Sequence, residues 1–275
     1  VPAYFSPADW TGTLLSNCFN NFDLISEHYY NYGNTHFSLA EARQVPNDPN
    51  EAITDWMRRA ANHVRIKFEH YQDYERLLPQ LAAQPKPIAI SEWGYMGGRY
   101  PTYPAYAWVF HEMLRHSDLI RMANYTFATS LLTRGGTNAS LNANGLVFKL
   151  YANHFGRIPV AVSGNSPQPK PTEPFGGEQP AVNAGSDTFP VDVVAAWTAD
   201  RRALAVAILN PIDTEQALKL TITGATLTGK GTLWRLASTE ANGQNPSLTD
   251  APLNAVPDTL SVPRFSASIY ELPAN

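Results

Sequence analysis

Residues 87–95 read Pro-Ile-Ala-Ile-Ser-Glu-Trp-Gly-Tyr, an apolar run that ends in a carboxylate, an aromatic ring and a glycine. The run 88–90 predicts a strand buried on both faces, because no polar residue interrupts it. An unpaired carboxylate is costly to bury, and catalytic groups of parallel barrels lie at the carboxyl ends of strands. We therefore expect Glu92 to be a catalytic carboxylate. The structural alternative is a strand-end Glu bonded to a helix N-terminus or to an arginine.

The composition narrows the class of protein. Of the 275 residues, 44% are apolar and 16% are charged, which is typical of a globular chain of one or two domains. A net charge of −4 without any Lys/Arg run argues against a nucleic-acid partner. The single Cys18 excludes an internal disulfide, and no apolar run is long enough to cross a membrane. The chain begins at Val1 without an initiator methionine or signal peptide, so we expect sequence upstream, and no compartment is indicated.

The first half of the chain predicts alternating strands and helices. Strands are expected at 22–30, 88–90 and 119–125, and helices at 49–81 with a break near Pro79, at 106–114 and at 146–155. This order predicts βα units with parallel strands. Three strands are too few for a closed barrel, which takes about eight. No Gly-rich phosphate loop follows a strand, which disfavours a nucleotide-binding open sheet.

A proline-rich segment separates the two halves. The segment from Ser163 to Pro180 contains five prolines, counting Pro180, and a Gly-Gly pair, and proline at this density builds neither helix nor central strand. Beyond it, short apolar runs between turn residues predict an antiparallel β-sandwich of about a hundred residues. The sequence thus predicts a βα portion at 1–162, a linker at 163–180 and a sandwich at 181–275. The expected sandwich strands are 191–198, 203–209, 217–223, 231–236, 259–262 and 266–272.

Neither a metal site nor a serine nucleophile is indicated. His63 and His70 are seven residues apart and His111 and His116 are five apart, so neither pair has the i, i+4 spacing of a zinc-binding helix. The chain has no second cysteine and no G-x-S-x-G motif. We expect no metal and no cofactor.

Paired carboxylates are the remaining chemistry, and glycoside hydrolysis requires two of them. Strand alternation places His28 and Tyr30 on one face of the 22–30 strand and Glu27 on the other. We expect His28 and Tyr30 to have a polar role beside Glu92, although they could instead be satisfied core residues. Glu27 should face the helix layer as a paired structural charge.

The segment Asp48-Pro49-Asn50-Glu51 contains a second candidate carboxylate. Asn50-Glu51 resembles an Asn-Glu catalytic dipeptide. However, Asp48 can cap a helix, Pro49 suits its first position and Glu51 completes a capping box, which explains the segment structurally. The chain therefore offers one convincing catalytic carboxylate.

Several segments, in this order, resemble the C-terminal half of α-L-arabinofuranosidases of glycoside hydrolase family 51. They are Ile-Ser-Glu-His-Tyr-Tyr at 25–30, Ile-Ser-Glu-Trp at 90–93 and His-Ser-Asp-Leu-Ile-Arg-Met-Ala-Asn at 116–124. Residues 144–156 resemble that family's last barrel helix, and the sandwich with Val-Ala-Ile-Leu-Asn-Pro at 206–211 resembles its C-terminal domain. The similarity covers nearly the whole chain.

The resemblance implies both a fold and an activity. The fold is the C-terminal part of a (β/α)8 barrel, strands six to eight, followed by a β-sandwich. The activity is that of a retaining exo-hydrolase that removes terminal α-L-arabinofuranosyl groups from polysaccharides or oligosaccharides. By the match, Glu92 is the nucleophile, and His28 and Tyr30 contact the sugar or orient Glu92. Tyr95 and Asn144 are also expected to contact the substrate.

The sequence departs from the family pattern in two ways. The family usually has Asp before the nucleophile and Asn two residues after it, whereas this chain has Ser91 and Gly94. The family's acid/base Glu follows an Asn on the fourth strand, and this chain has no such strand. We therefore expect a second polypeptide carrying the N-terminal half of the barrel, because three strands alone would expose a wide apolar edge. A homo-oligomer is also compatible with the sequence.

Two other functions stay open at this point. One is a related barrel glycosidase such as a β-xylosidase or an endoglucanase. The other is a non-catalytic carbohydrate-binding fragment folded around the sandwich. Both keep a carbohydrate partner, and hydrolysis of aryl glycosides would separate them from an arabinofuranosidase.

Overall fold

A three-stranded parallel sheet and a six-stranded antiparallel sheet organise the chain. The computed structural model describes residues 9–38, 41–171, 179–257 and 259–275. The helices are α1 (Trp10–Asn17), α2 (Ile53–Leu77), α3 (Pro79–Ala83), α4 (Tyr103–Arg115) and α5 (Ala143–His154). The strands of the first half are β1 (Ile25–Tyr32), β2 (Thr35–Ser38), β3 (Arg43–Pro46), β4 (Ile88–Met96), β5 (Ile120–Tyr125), β6 (Leu132–Gly135) and β7 (Asn138–Leu141). Those of the second half are β8 (Ile158–Val160), β9 (Asp192–Trp197), β10 (Ala203–Asn210), β11 (Gln216–Leu218), β12 (Gly231–Ala237), β13 (Ser247–Leu253), β14 (Leu260–Val262) and β15 (Ser266–Pro273).

The parallel sheet has the strand order β1-β4-β5 and is built from the predicted βα units. One face packs against α2 and α4, whose apolar side chains share a core with the sheet. The helix predicted at 49–81 has an apolar stripe that is buried at Trp56, Met57, Ala60, Ala61 and Val64. The break expected near Pro79 separates α2 from α3.

The start of α2 differs from the prediction. The helix begins at Ile53, and its N-cap residue Ala52 makes no side-chain cap. Asp48 instead closes a turn, accepting a hydrogen bond from the Asn50 amide at 2.7 Å. Glu51 is buried and forms an ion pair with Arg59 rather than a capping box. The ion pair with Arg59 stabilises the buried carboxylate of Glu51. The structural interpretation of Asn50-Glu51 is therefore kept, with an ion pair in place of the capping box.

The antiparallel sheet has the order β13-β12-β15-β10-β9-β8. Every residue of its central strand β10 is buried. One face packs against α4 and α5, and the other shares a second core with the two-stranded β11–β14 ribbon. This sheet and ribbon occupy the region predicted as a sandwich. Because β8 pairs with β9, residues 158–160 belong to this sheet and not to the βα portion. In the predicted linker, residues 172–178 lie outside the described part.

A buried polar cluster joins α4 to the antiparallel sheet. We call Asp192, His111 and Tyr151 the buried trio. His111 Nδ1 lies 2.7 Å from Asp192 Oδ2, and its Nε2 lies 2.5 Å from the Tyr151 hydroxyl. The side chains of His111 and Asp192 are 0% exposed. An ionised Asp only accepts hydrogen bonds, so a neutral His111 donates from Nδ1 and accepts from Tyr151 at Nε2.

The buried trio is surrounded by further compensating groups. Arg115 donates to Asp192 at 2.5 Å and to Glu112 at 2.8 Å. Ser186 also donates to Asp192 through its amide, at 2.6 Å. Burial alone would raise the pKa of Asp192, but Arg115 and His111 outweigh it and hold that pKa well below its ordinary value. The trio is therefore a satisfied structural cluster.

None of the helices in the described ranges is long and apolar enough to span a membrane.

Candidate active site

Glu92, His28 and Tyr30, here called the open trio, lie together on the face of the parallel sheet that the helices do not cover. The Tyr30 hydroxyl donates to Glu92 Oε2 at 2.5 Å, and His28 Nδ1 lies 3.6 Å from the same oxygen. The Glu92 side chain is 44% exposed and that of His28 is 52% exposed. The structure thus brings together the three residues that the sequence placed beside one another, and a ligand can reach them.

A bulge in β4 turns Glu92 towards this face. Glu27 is opposite Ile90 and His28 is opposite Glu92, so Ser91 is an extra residue without a partner on β1. Before the bulge, Ile90 points into the helix-side core, and after it Trp93 does so. Side chains alternate along a strand, so the extra residue is what allows Glu92 to face His28.

The Tyr30 phenol is a hydrogen-bond donor over the ordinary pH range. Desolvation and then its hydrogen bond to Glu92 raise the pKa of Tyr30 above its ordinary value, although a hydrogen bond with Thr126 opposes this rise. The protonated phenol can therefore donate a hydrogen bond to a carboxylate oxygen of Glu92.

Thr126, which the sequence reasoning missed, lies on the other side of this phenol. Its Oγ1 is 2.7 Å from the Tyr30 hydroxyl. The two residues are 96 positions apart in the chain. No motif links them, and only the parallel pairing of β4 with β5 brings the end of β5 into reach of Tyr30.

Ser91 and Gly94, the two residues beside Glu92 that differ from the family pattern, each make a local structural contact. The Ser91 hydroxyl lies 2.6 Å from that of Ser26 on β1, which ties the bulge to the neighbouring strand. Gly94 leaves room for the ring of Phe127, because a Cβ atom at Gly94 would lie only 3.1 Å from that ring. The same ring lies 5.8 Å, centroid to centroid, from that of Tyr30. Phe127 thus occupies space that a side chain at position 94 would take.

The structure corrects the expectation for Tyr95. Its side chain is 2% exposed and belongs to the core between the sheet and the helices. Its hydroxyl donates to the Trp56 carbonyl at 2.7 Å. The bulge places odd-numbered residues after Ser91 on the helix side, so Tyr95 does not reach the open trio and the prediction that it contacts substrate is wrong.

Asn144 does not join the open trio either. It lies in the first turn of α5, where its Oδ1 accepts a hydrogen bond from Thr102 at 3.0 Å. This contact connects the starts of α4 and α5. A role for Asn144 in substrate binding stays a prediction.

Glu27 occupies the opposite side of the sheet from Glu92, as alternation predicts. Its carboxylate lies 3.2 Å from Lys67 Nζ on α2 and accepts a hydrogen bond from Thr11 at 3.0 Å. The interpretation of Glu27 as a paired structural charge is confirmed.

The open trio contains one carboxyl group, whereas glycoside hydrolysis requires two. Among the described residues, the polar side-chain contacts of Glu92 are with His28 and Tyr30 and include no second carboxyl group. In the same part of the chain, no group of three or more His, Cys, Asp and Glu side chains could hold a metal ion. The arrangement offers an accessible carboxylate, oriented by a phenol and an imidazole, as a nucleophile.

Neither a family model nor a curated protein matches the chain. Solved structures do. The α-L-arabinofuranosidase from Thermotoga maritima aligns with a TM-score of 0.68 and 18% identity, over 96% of this chain and 55% of that one. The family 51 α-L-arabinofuranosidase from Bifidobacterium longum aligns with a TM-score of 0.61 and 17% identity, over 96% and 55%. A family 44 xyloglucanase from Paenibacillus polymyxa aligns with a TM-score of 0.56 and 15% identity, over 92% and 47%.

This chain spans about half the length of the solved structures it resembles. At such identities the likeness concerns the fold. The resemblance to family 51 is confirmed at that level, and the chain has the mixed helix and sheet fold of the C-terminal region of glycoside hydrolase family 51 α-L-arabinofuranosidases.

Proposed function

We propose that this chain carries the nucleophile half of the active site of a retaining exo-glycoside hydrolase that removes terminal α-L-arabinofuranosyl groups. The observation that carries the proposal is the open trio, an accessible carboxylate held by a phenol and an imidazole on a parallel sheet. The fold shared with α-L-arabinofuranosidases supports it. The T. maritima structure is a complex with arabinose, which supports the choice of sugar.

The mechanism follows from the chemistry of paired carboxyl groups. Glu92 attacks the anomeric carbon of the sugar and forms a glycosyl ester, while a second carboxyl group protonates the leaving oxygen. That second group then removes a proton from water, which attacks the ester and releases Glu92. In retaining enzymes the two carboxyl groups are about 5–5.5 Å apart. Tyr30 and His28 orient the Glu92 oxygens for both steps.

The second carboxyl group is supplied, in this proposal, by another polypeptide that completes the barrel. A parallel barrel takes about eight strands, and the described part of this chain contributes three to the parallel sheet. In the described residues, β1 and β5 each pair with one neighbour, so both edges are open. Large apolar side chains are exposed near these edges. They are Trp10 and Leu14 on α1, Leu24 just before β1, and Met122 on β5.

The occupant proposed for this surface is a polypeptide that carries the remaining barrel strands. Exposed apolar patches of this kind mark interaction surfaces, and unpaired parallel edges accept further strands. Intact mass and denaturing electrophoresis of native material should reveal a second polypeptide, or a longer chain that contains this one. A sample with only a well-folded, monomeric 30.3 kDa species would contradict the proposal.

The catalytic role is tested with Glu92→Ala in the complete enzyme. Turnover of an aryl α-L-arabinofuranoside should be lost, because the ester cannot form. Added azide should restore part of it by attacking the anomeric carbon in place of the carboxylate, and should yield a glycosyl azide. Glu27→Ala is the matched control, since Glu27 lies on the helix side of the same sheet. Absence of azide rescue, together with wild-type turnover in Glu92→Ala, would exclude Glu92 as the nucleophile.

A related barrel glycosidase is a second candidate, because the fold also resembles that of a xyloglucanase. A panel of aryl glycosides in native material separates the two. Preferential hydrolysis of the α-L-arabinofuranoside supports the proposal, and preferential hydrolysis of a β-glucoside or β-xyloside supports the alternative. Sugar binding without hydrolysis of any of them would indicate a non-catalytic carbohydrate-binding fragment.

A further inference from the structure

Thr126 is fixed to the strand that carries Glu92. It follows β5 directly, and its backbone amide donates to the carbonyl of Trp93 at 3.2 Å. Trp93 is the residue after Glu92 and pairs with Tyr125 in the sheet. The Thr126 hydroxyl is therefore held at a defined place relative to Glu92, 2.7 Å from the Tyr30 hydroxyl.

The number of hydroxyl protons available to Tyr30, Glu92 and Thr126 determines which of these groups donates and which accepts. The Tyr30 phenol has one hydroxyl proton and two close oxygen neighbours, Glu92 Oε2 at 2.5 Å and Thr126 Oγ1 at 2.7 Å. An ionised Glu92 can only accept. With a single proton, Tyr30 cannot donate fully to both oxygens, and a phenol proton given to an ionised Glu92 leaves the Thr126 proton to make the hydrogen bond between Thr126 and Tyr30.

We propose that Thr126 is a positioning residue that directs the Tyr30 proton towards Glu92 and strengthens that hydrogen bond. The inference rests on the proposed function and names a further residue for the same site. Donation to the phenol oxygen polarises the phenol, which then binds a carboxylate more strongly. Phe127 packs beside the Tyr30 ring, so the ring and its hydroxyl are held by consecutive residues.

The hydrogen bond from Thr126 should accelerate the second step of the reaction, which is hydrolysis of the glycosyl ester. In that step water adds to the anomeric carbon and the bond from carbon to Glu92 breaks. The electron pair returns to Glu92 as a carboxylate, and the water proton goes to the second carboxyl group. Charge develops on Glu92 in this transition state, so a stronger Tyr30 donor accelerates it. In the first step Glu92 loses charge, and the same donor gives no comparable advantage.

The kinetic test compares Thr126→Val, which removes the hydroxyl, with Thr126→Ser, which keeps it. The substrate is an aryl α-L-arabinofuranoside with a good leaving group, so that ester hydrolysis limits turnover. We expect Thr126→Val to lower kcat by about 3- to 10-fold, the size of one hydrogen bond. KM should fall in parallel, leaving kcat/KM within about twofold, and Thr126→Ser should resemble the wild type. Wild-type kcat in Thr126→Val, or equal losses in both variants, would overturn the proposal.

A second readout needs no activity. The phenol of Tyr30 can be titrated by NMR with tyrosine labelled at the ring carbon that bears the hydroxyl, with Tyr30→Phe to assign its signal. A donor at the phenol oxygen favours the phenolate, so Thr126→Val should raise the pKa of Tyr30 and Thr126→Ser should not. A shift in a chain without hydrolytic activity would support the positioning contact and refute the proposed function. An unshifted Tyr30 in a folded Thr126→Val would refute the contact itself.

Discussion

A carboxylate, a histidine and a tyrosine occur together twice in this molecule, once in the buried trio and once in the open trio. In the buried trio the histidine and the carboxylate are 0% exposed, and an arginine and a serine satisfy the carboxylate further. In the open trio the corresponding side chains are 52% and 44% exposed. The same residue types therefore occupy opposite environments, because burial with full pairing closes the carboxylate of the buried trio off from any ligand, whereas exposure leaves that of the open trio accessible to one.

The carboxylates should show the largest contrast. Glu92→Gln should reduce turnover in the complete enzyme by about 10⁴-fold or more, the scale seen when a nucleophile is removed. It should change the free energy of unfolding by less than about 0.5 kcal/mol, as for an exposed position. Asp192→Asn should lower the free energy of unfolding by about 3 kcal/mol, since it removes the charge of one of the two buried carboxylates that Arg115 contacts and leaves only Glu112. Chemical denaturation measures the free energy of unfolding, and aryl-glycoside assays measure turnover. Wild-type activity in Glu92→Gln would contradict the distinction between the two carboxylates.

Substitutions of the two tyrosines should show the same contrast between turnover and stability, with smaller effects. Tyr30→Phe should lower kcat by about 10- to 100-fold, the value of a hydrogen bond to a charged group, and leave stability nearly unchanged. Tyr151→Phe should reduce the free energy of unfolding by about 1–3 kcal/mol, because His111 Nε2 loses its buried partner. Activity per folded molecule should stay at the wild-type level in Tyr151→Phe. Equal effects of the two substitutions on turnover would contradict the account.

The buried trio should also make stability depend on pH. Burial lowers the pKa of His111, so below about pH 6.5 the unfolded chain binds a proton that the folded one does not. The pKa of Asp192 is also lowered in the folded chain, because Arg115 and His111 outweigh its burial, so the same applies below about pH 4. The free energy of unfolding should therefore decrease in two stages as the pH falls. Denaturation curves across this range should show that Asp192→Asn reduces the lower stage, to which the lowered pKa of Glu112 also contributes. An unchanged lower stage would contradict the assignment.

Glu27 should show the smallest effect and serves as the control carboxylate. Its ion pair with Lys67 is partly exposed, so Glu27→Gln should lower the free energy of unfolding by less than about 1 kcal/mol. Turnover should stay within about twofold of the wild type, as the side chain faces the helices. A loss approaching that of Glu92→Gln would mean that position on the sheet does not separate structural from catalytic carboxylates.

Much of the fold could be predicted because the spacing of apolar residues along the sequence indicates which face of a helix or strand is buried. The alternation in β1 and the apolar stripe of α2 each have one covered face, and both elements were predicted. Strand β13 was missed because it is largely exposed and contains Asp250 and Pro252, so no apolar alternation marks it. The β6–β7 hairpin was missed for the same reason, since nearly all of it is exposed.

Only those features of the site that depend on the pattern within one strand could be predicted from the sequence. His28, Tyr30 and Glu92 were grouped correctly from strand ends and alternation. The bulge at Ser91 leaves no mark in the residue pattern, so the reversal of faces that buries Tyr95 could not be anticipated. Thr126 depends on strand order and register, which a single sequence does not specify.

The central claim is that Glu92 in the open trio is the nucleophile, and covalent trapping tests it most directly. An activated aryl α-L-arabinofuranoside with fluorine at C2 forms the glycosyl ester but hydrolyses it slowly. After reaction with the complete enzyme, peptide mass spectrometry should find the added fluoroglycosyl group on Glu92, and prior Glu92→Gln substitution should abolish it. A fluoroglycosyl group on any other residue, or unlabelled Glu92 in an enzyme inactivated by the reagent, would contradict the claim.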